Sequence, residues 1–300
     1  MIKKCLGCGI VLQDKDANSL GYTPKIENDL CQRCFKLKHY GEKIDIEKKQ
    51  NNNTIINKIN KEKAIVLYLI DFLNINKETV AFFKEINSFK YFIITKSDII
   101  PRNIKLEKLI ANIKREYLIE EEIILCSIYD AKNNNKLKNI IESNKVIFCG
   151  ITNMGKSSLI NKLTNSDITI SNKENTTQEF IKIKNIIDTP GFICDYKIMV
   201  PKSKILPKTY QLKSKYYLKI DDLVIGAESD TLMTLYFANE TKINKRKKID
   251  NYKYLIKINK NQDLVIKGMG FIKFSTDALI YLNSDNYEIR NSIVGDSYEN

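Results

Sequence analysis

Residues 150–157, with the sequence GITNMGKS, have a spacing that suits the binding of phosphate groups. The pattern is G-x-x-x-x-G-K-[ST], in which the glycines let backbone N–H groups turn inward around phosphate oxygens. Lys156 would reach the β- and γ-phosphates of a nucleotide, and Ser157 would offer its hydroxyl to Mg²⁺. An apolar segment that ends at Cys149 precedes the pattern and a helical periodicity follows it, as the motif requires. The predicted contacts of this loop with a nucleotide are Asn153, Met154, Gly155, Lys156, Ser157 and Ser158.

A second group of residues, DTPG at 188–191, follows at the end of an alternating segment. Asp188 would hold Mg²⁺ through a bound water, and Gly191 would present its N–H to a γ-phosphate. In the polar loop before this group, Thr177 would complete the Mg²⁺ shell, with Thr176 and a solvated loop as the alternatives. The predicted catalytic residues are Lys156, Thr177 and Gly191, and the predicted Mg²⁺ ligands are Ser157, Thr177 and Asp188.

Residues 95–98, with the sequence TKSD, suit the recognition of a guanine base. The Asp98 carboxylate can accept hydrogen bonds from both N1–H and N2–H₂ of guanine, whereas adenine offers no such pair of donors. Lys96 would lie across the base and help to order the phosphate loop. TKSD is a common turn when it stands alone, and an ATPase is the alternative if Asp98 does not contact a base. The predicted base-binding residues, which include the next strand-end loop, are Thr95, Lys96, Asp98, Ser127 and Ile128.

Four of the seven cysteines lie in two C-x₂-C pairs, Cys5 with Cys8 and Cys31 with Cys34. Four thiolates with this spacing suit a closed tetrahedral Zn²⁺ site. Redox-active or incidental cysteines are the alternative. No histidine stands beside either pair, which argues against a catalytic zinc centre, and we expect His39 at the surface or in the zinc segment.

Short apolar segments alternate with amphipathic ones between residues 64 and 149. This alternation predicts an α/β fold with a mostly parallel sheet, because parallel strands need helical crossovers. Ligands bind such sheets at the carboxyl ends of the strands, where the three nucleotide motifs are predicted to lie. After Asp195 the helical spacing stops, and short alternating segments predict a β-rich C-terminal region.

The composition indicates a folded and basic protein. Hydrophobic residues make up 43% of the chain and charged residues 28%, which argues against general disorder. The formal net charge of +13 would attract polyanions such as nucleic acids, although a compositional bias toward Lys, Asn and Ile is the alternative explanation. No apolar run approaches the roughly 18 residues that span a bilayer, and no signal or transit peptide is evident. We therefore expect a cytoplasmic protein that does not enter membranes.

The motifs occur in the order base-binding, Ser127 loop, phosphate loop, Thr177 loop and DTPG, whereas the phosphate loop comes first in an ordinary GTPase. With this order the chain resembles the circularly permuted GTPases, and specifically the YqeH-like branch. The resemblance depends on motifs that extend from the cysteine pairs to the DTPG group: Cys5 and Cys8, Gly21 and Tyr22, residues 31–40, Asp71 and Phe72, and residues 95–98, 150–158 and 188–191.

The resemblance implies a P-loop GTPase domain that binds GTP or GDP with Mg²⁺ and acts in assembly of the small (30S) ribosomal subunit. It implies the small subunit and ribosomal RNA as partners. Two positions depart from the usual pattern: Thr95 replaces an asparagine, and Phe192 follows Gly191 where a glutamine would orient the attacking water. We therefore expect slow hydrolysis that a partner or K⁺ stimulates, and Asn153 matches a position that helps to bind K⁺ in K⁺-stimulated relatives.

Four regions are predicted along the chain: a zinc module over 1–44, a linker or solvated helix over 45–63, a GTPase domain over 64–200 and an RNA-docking domain over 201–300. The basic run 242–248 is a candidate contact for RNA phosphates, with a solvated turn as the alternative. The first functional hypothesis is a monomeric GTP-dependent switch. The second is a zinc- and RNA-binding adaptor in which the nucleotide is mainly structural.

Overall fold

The computed structural model describes residues 3–17, 19–40, 51–164, 180–214, 216–247 and 252–295. These residues fall into two units. The first comprises Met1–Asp71, Ala81–Ser97 and Glu121–Cys194, and the second comprises Phe72–Val80, Asp98–Glu120 and Asp195–Asn300. Each unit is therefore assembled from three separate stretches of chain. The domain boundaries predicted above follow the linear sequence instead, and they stay a prediction.

The first unit begins with a small cysteine-rich module that ends in helix α1 (Gln32–His39). Gly21 is required in this module because its φ is +85° and because a Cβ there would lie 2.1 Å from the carbonyl oxygen of Val11. Helix α1 starts directly after Cys31 and contains Cys34. Formation of this helix therefore fixes the position of one cysteine pair.

Helix α2 (Asn52–Lys61) lies in the stretch that was predicted to be a linker or a solvated helix. The side chain of Asn51 caps the helix by accepting a hydrogen bond from the backbone N–H of Asn53. The helix is not solvated on all sides, since its spacing puts apolar side chains on one face. The buried residues on that face are Ile55, Ile56 and Ile59.

Six strands, counted in the described residues, form the sheet of the first unit: β1 (Ile65–Asp71), β2 (Lys90–Thr95), β3 (Ile123–Leu125), β4 (Val146–Gly150), β5 (Ile181–Ile183) and β6 (Ile186–Asp188). Their order is β3-β2-β1-β4-β6-β5, and all neighbours are parallel except β5 with β6. The central strands β1 and β4 are buried at nearly every position, as strands covered on both faces are. The predicted α/β fold is confirmed.

Helices follow these strands along the chain: α3 (Lys77–Lys84), α4 (Leu106–Tyr117), α5 (Ala131–Ser143) and α6 (Lys156–Thr164). Short 3-10 helices, Phe72–Asn74 and Ser97–Ile99, come directly after β1 and β2. Within the described ranges, no helix has both the length and the apolar character needed to cross a bilayer.

The β-rich part of the second unit has ten strands in the described residues: β7 (Lys208–Leu212), β8 (Tyr216–Ile220), β9 (Leu223–Ala227), β10 (Thr231–Phe237), β11 (Ile243–Lys247), β12 (Tyr254–Ile258), β13 (Gln262–Ile266), β14 (Gly270–Phe274), β15 (Ala278–Leu282) and β16 (Tyr287–Asn291). They form two antiparallel sheets, with the orders β16-β13-β14-β10-β7 and β11-β8-β9-β15-β12. Side chains from both sheets, among them Leu235 and Ile280, share one core. The C-terminal strands therefore make a β-sandwich, and the predicted β-rich region is confirmed.

Buried Arg290 forms an ion pair within the β-sandwich and hydrogen bonds to two earlier segments of the second unit. Arg290 Nε lies 3.2 Å from Asp263 Oδ2, and neither side chain has exposed surface. Arg290 Nη1 also donates to Ile75 O at 2.5 Å and to Tyr117 Oη at 2.9 Å. Ile75 follows β1 and Tyr117 ends α4, so one arginine of β16 joins both segments to the sandwich.

Candidate nucleotide-binding site

The predicted phosphate loop connects β4 to α6, and its backbone departs from ordinary geometry at three residues. Gly150, Asn153 and Gly155 have φ values of 136°, 66° and 82°. A Cβ at Gly150 would lie 2.1 Å from the carbonyl oxygen of Leu69, so only glycine fits beside β1. A Cβ at Gly155 would meet nothing within 4 Å, which leaves open space where the loop enters α6. The N–H groups and dipole of that helix end favour an anion.

Lys156, Ser157 and Asp188 come together at the start of α6. Lys156 is only 8% exposed. Desolvation lowers the pKa of its ammonium group, although nearby Asp188 opposes this shift. Ser157 Oγ lies 3.3 Å from Asp188 Oδ2, and hydroxyl and carboxylate oxygens are donors that suit Mg²⁺. The donor set of these residues therefore fits this ion.

The DTPG residues at 188–191 lie directly beside the phosphate loop. The Thr152 N–H donates to Phe192 O at 3.2 Å, and the Phe192 N–H donates to Gly150 O at 3.0 Å. A Cβ at Gly191 would lie 2.7 Å from Thr152 Cγ2 and 2.9 Å from Thr152 Cα and N. Glycine is therefore required at 191 because the two backbones approach so closely.

Phe192 occupies a core position beside the site. Its side chain has no exposed surface and packs against Tyr68 and Phe82, with ring centroids 6.1 and 5.2 Å away. An apolar ring in this position has no polar group with which to orient a water molecule. The site therefore lacks a water-orienting side chain at the residue after Gly191.

Thr95, which replaces the usual asparagine, contacts the phosphate loop. Its Oγ1 lies 2.9 Å from Met154 O and 3.2 Å from Ile70 O. Thr95 is 4% exposed, so its hydroxyl contacts buried backbone of both the phosphate loop and strand β1. Met154 is also buried, and its Sδ accepts a hydrogen bond from the backbone N–H of Asp71 at 3.3 Å.

Lys96 bridges the base-binding motif and the phosphate loop. Its Nζ lies 3.1 Å from Asp71 Oδ2 and 3.2 Å from Asn153 O. Asp71 ends β1 and is wholly buried. The sequence motifs did not assign a role to this aspartate. The sequence did offer one signal: an aspartate at the carboxyl end of an apolar strand. The carboxyl ends of parallel strands form the ligand-binding edge of such a sheet.

The loop after β3 lies next to the base-binding motif, since the Ser97 N–H donates to Cys126 O at 3.0 Å. Ser127 is buried, and its Oγ accepts a hydrogen bond from the Tyr129 N–H at 3.2 Å. Ile128 is exposed. Asp98 lies in the 3-10 helix Ser97–Ile99 and is partly exposed. It is the first residue of its stretch of the second unit.

The described residues thus bring Lys156, Ser157, Asp188 and Gly191 together around the phosphate loop, with Thr95 and Lys96 beside it. Ser158 is partly exposed in the first turn of α6. Thr177 and its alternative Thr176 lie outside the described residues. The roles of all these side chains toward nucleotide and ions stay predictions.

The four paired cysteines form one buried cluster in which all sulfur atoms lie within 4.8 Å of one another. Cys8 Sγ and Cys31 Sγ are 3.8 Å apart, and a tetrahedron with Zn–S distances of about 2.3 Å puts its sulfur atoms about 3.8 Å apart. Hydrogen bonding with the Cys31 thiol lowers the pKa of Cys5. The cluster is compatible with zinc. His39 is not part of the cluster. It is exposed at the end of α1, with its ring 4.5 Å from that of Phe35.

Comparison with known proteins gives matches over most of the chain. The family model described as RsgA GTPase matches residues 47–194, and the model described as 50S ribosome-binding GTPase matches residues 145–267. The chain is also 29% identical over 289 residues to the Bacillus subtilis (strain 168) protein named Uncharacterized protein YqeH, across 82% of this chain and 78% of that protein. Both family models describe GTPases, and both matched ranges include the phosphate loop and the DTPG group, so the chain is a GTP-binding protein.

Proposed function

We propose, from the premise that this chain is a YqeH-like circularly permuted GTPase, that it acts as a GTP-dependent switch in biogenesis of the small (30S) ribosomal subunit. In this proposal GTP, bound with Mg²⁺, orders the loops around Thr177 and Gly191, and the chain docks on ribosomal RNA. Hydrolysis to GDP then releases it. The protein works as a cytoplasmic monomer.

One observation carries the proposal: the base-binding and phosphate-binding motifs are in direct contact. Lys96 Nζ lies 3.2 Å from Asn153 O, although 57 residues separate them and their order in the chain is reversed. An incidental TKSD turn would need no such contact. The contact therefore supports a guanine-nucleotide site that has been kept in space while the chain order changed.

Each residue predicted to contact the phosphates or Mg²⁺ has a distinct part in the proposed reaction. Lys156 stabilises the negative charge that develops on the phosphate oxygens, and its burial makes this interaction stronger than it would be in water. Ser157, Thr177 and Asp188 hold Mg²⁺, which neutralises phosphate charge when bound. The Gly191 N–H positions the γ-phosphate.

Hydrolysis is slow without help in this proposal, because Phe192 cannot orient the attacking water. A ribosomal partner or K⁺ raises the rate. We assign the side-chain oxygen of Asn153 to K⁺, since its backbone oxygen already accepts a hydrogen bond from Lys96.

The zinc and RNA parts of the proposal depend on the two ends of the chain. Cys5, Cys8, Cys31 and Cys34 hold a structural Zn²⁺ that keeps the N-terminal module folded. At the other end, the basic run 242–248 supplies cations for phosphate contacts; its Lys245 and Lys247 ammonium groups lie 5.2 and 5.7 Å from the centre of the Tyr216 ring. The net charge of +13 supports a polyanionic partner.

The test is a competition of GTP, GDP and ATP for the site, with fluorescently labelled GDP as the reporter. It is run with small subunits, with large subunits or with neither, in potassium and in sodium buffer. Large subunits are a necessary arm because one matching family model is described by 50S binding. The variant is Lys156→Ala, and Lys162→Ala is the matched control because Lys162 is an exposed lysine of the same helix.

We expect selective guanine binding and hydrolysis that small subunits stimulate. Lys156→Ala should lose GTP binding and with it the GTP-dependent cycle of docking on the subunit and release from it, while Lys162→Ala should match the wild-type chain. Normal function of Lys156→Ala would favour the adaptor hypothesis. Equal binding of ATP would overturn the guanine assignment, and stimulation by large subunits alone would overturn the small-subunit role.

A further inference from the structure

One outer face of the β-sandwich has a continuous row of residues across all five strands of its sheet. Strand register aligns Arg246 with Tyr217, Tyr217 with Gly226, Gly226 with Tyr281, and Tyr281 with Leu255. Neighbouring strands lie about 4.8 Å apart, so the two tyrosines stand roughly 10 Å from each other with no side chain between them. We call this row, with its neighbours Lys219 and Lys257, the open sheet face.

The residues of the open sheet face point away from the core of the sandwich. Side chains alternate along a strand, and Leu218, Ile220, Ile280 and Leu282 all belong to the core. Tyr217, Lys219 and Tyr281 therefore lie on the opposite side. Leu255 is 52% exposed and Tyr252, whose ring lies 4.4 Å from that of Tyr281, is 55% exposed. Tyr217 and Tyr281 are themselves partly exposed, so part of the aromatic surface of the row faces solvent.

Cations surround this aromatic row. Arg246 stands at one end of it, and Lys219 and Lys257 are the exposed outward residues of β8 and β12. Within the described part of the chain none of these three makes an ion pair. A positive, aromatic and flat surface complements a ligand that has both negative charges and planar rings.

We propose that the open sheet face binds single-stranded RNA, with bases stacked on Tyr217 and Tyr281 and phosphates near Arg246, Lys219 and Lys257. This inference rests on the proposed function, which requires RNA docking, and it names a site and a ligand form that the function alone leaves open. Unpaired bases stack on aromatic side chains, and adjacent cations follow the RNA backbone.

A protein partner fits these residues less well. Lysine is depleted in protein–protein interfaces, yet two of the three cations here are lysines. Double-stranded RNA is also a poorer fit, because its bases are already paired and cannot stack on side chains. The spacing of the partly exposed tyrosines and the neighbouring cations together favour unpaired nucleotides.

The experiment measures fluorescence anisotropy of labelled oligouridine of about 12 nucleotides, a length within the range of known single-strand sites. The full chain is compared with Tyr217→Ala, Tyr281→Ala and the ring-preserving variants Tyr217→Phe and Tyr281→Phe. Phe89→Ala is the matched control, since Phe89 is an exposed aromatic residue of the other unit. Lys219→Gln is compared with Lys138→Gln, which changes an exposed lysine of the first unit.

Each tyrosine-to-alanine change should weaken binding by about 5- to 140-fold, the effect of losing one stacked base. The phenylalanine variants and Phe89→Ala should bind as the wild-type chain does. Lys219→Gln should reduce the salt dependence of binding by about one phosphate contact, and Lys138→Gln should not.

Undiminished oligouridine binding by both alanine variants would overturn the inference, and so would an absence of binding by the wild-type chain. If the alanine variants kept oligouridine affinity but lost small subunits, the face would be a protein-docking surface and the RNA assignment would be wrong. Guanine-nucleotide binding is measured on the same samples. Its absence in the wild-type chain would contradict the proposed function, whereas tyrosine-independent RNA binding contradicts only the site.

Discussion

At the scale of single residues, Asp71 sets the position of the lysine that joins the two nucleotide motifs. Its buried carboxylate lies 3.1 Å from Lys96 Nζ. Without this partner, Lys96 keeps its contact with Asn153 O but loses the charge that restrains its ammonium group. We therefore predict that Asp71 is a positioning residue for guanine-nucleotide binding.

Asp71→Asn should weaken GTP and GDP binding about tenfold or more, because the carboxylate that pairs with the Lys96 ammonium is replaced by a neutral amide. Titration of labelled GDP, with unlabelled GTP as competitor, measures the change. Glu62→Gln is the control, since it removes a carboxylate from an ion pair at the surface, with Lys145. Unchanged affinity in a folded Asp71→Asn chain would remove this role.

Gly191→Ala should weaken GTP binding more than GDP binding. The added methyl group would lie within 2.9 Å of the Thr152 backbone, so the segment must shift and its N–H can no longer reach a γ-phosphate. The same titration with each nucleotide measures the difference. Adding Thr152→Ser should not restore GTP binding, because the conflicting Cα and N atoms remain; restoration would show that only the side chain was in the way.

The sequence was sufficient to find the residues whose motif is local. The phosphate loop, the DTPG group and TKSD each depend on a few adjacent residues, and their positions followed from the strand that precedes them. The Asp71–Lys96 pair could not be found in this way. It depends on the parallel register of β1 and β2, which puts Asp71 opposite Thr95, and register is not encoded in either strand alone.

At the scale of elements, helix α2 shows where composition misleads. The asparagine-rich residues around it suggested a linker or a solvated helix, yet three isoleucines on one face of the helix are buried. The alternation of apolar segments with amphipathic ones correctly predicted the α/β sheet, and the short alternating segments after Asp195 correctly predicted the β-rich region. It could not predict which C-terminal strands pair, because antiparallel partners such as β10 and β14 are distant in sequence.

Removal of zinc should unfold the N-terminal module and leave guanine binding in place. Cys34→Ser removes one of four proposed ligands, and we expect loss of bound zinc together with faster proteolysis of α1. Metal analysis and limited proteolysis measure these effects. Cys194→Ser is the control because Cys194 lies outside the cluster; equal zinc content in the two variants would contradict the assignment.

Arg290→Met should destabilise the protein by about 3–5 kcal/mol, because it leaves the Asp263 carboxylate buried without its ion-pair partner. Urea unfolding measures the loss. Lys257→Met, at an exposed position, should change stability by less than about 0.5 kcal/mol. Adding Asp263→Leu to Arg290→Met should recover much of the stability, and no recovery would mean that the arginine acts mainly through Ile75 and Tyr117.

At the scale of the whole molecule, the two units are interleaved along the chain. The second unit includes Phe72–Val80 and Asp98–Glu120, which lie between stretches of the first. Local periodicity cannot reveal this, since it shows where a strand or helix is but not which distant residues it packs against. The boundary after residue 200 therefore came from a change in pattern and not from packing.

A chain that ends at residue 200 should fold poorly and bind GDP weakly. It would keep Phe72 and Ile75 but lose Tyr236, Phe271 and Arg290, which contact them in the second unit. Size-exclusion chromatography and labelled-GDP titration test this, with the full chain as the reference. A soluble truncated chain with full GDP affinity would instead support residue 200 as a true domain boundary.

The hydrogen bond between Arg290 and Ile75 cannot form until residue 290 has been synthesised. These residues are 215 positions apart, and translation at about 5–20 residues per second separates their appearance by roughly 11–43 s. Throughout that interval the segment after β1 has left the translating ribosome without the strands that cover it. We therefore expect this segment of a newly made chain to be open to aggregation until β16 emerges.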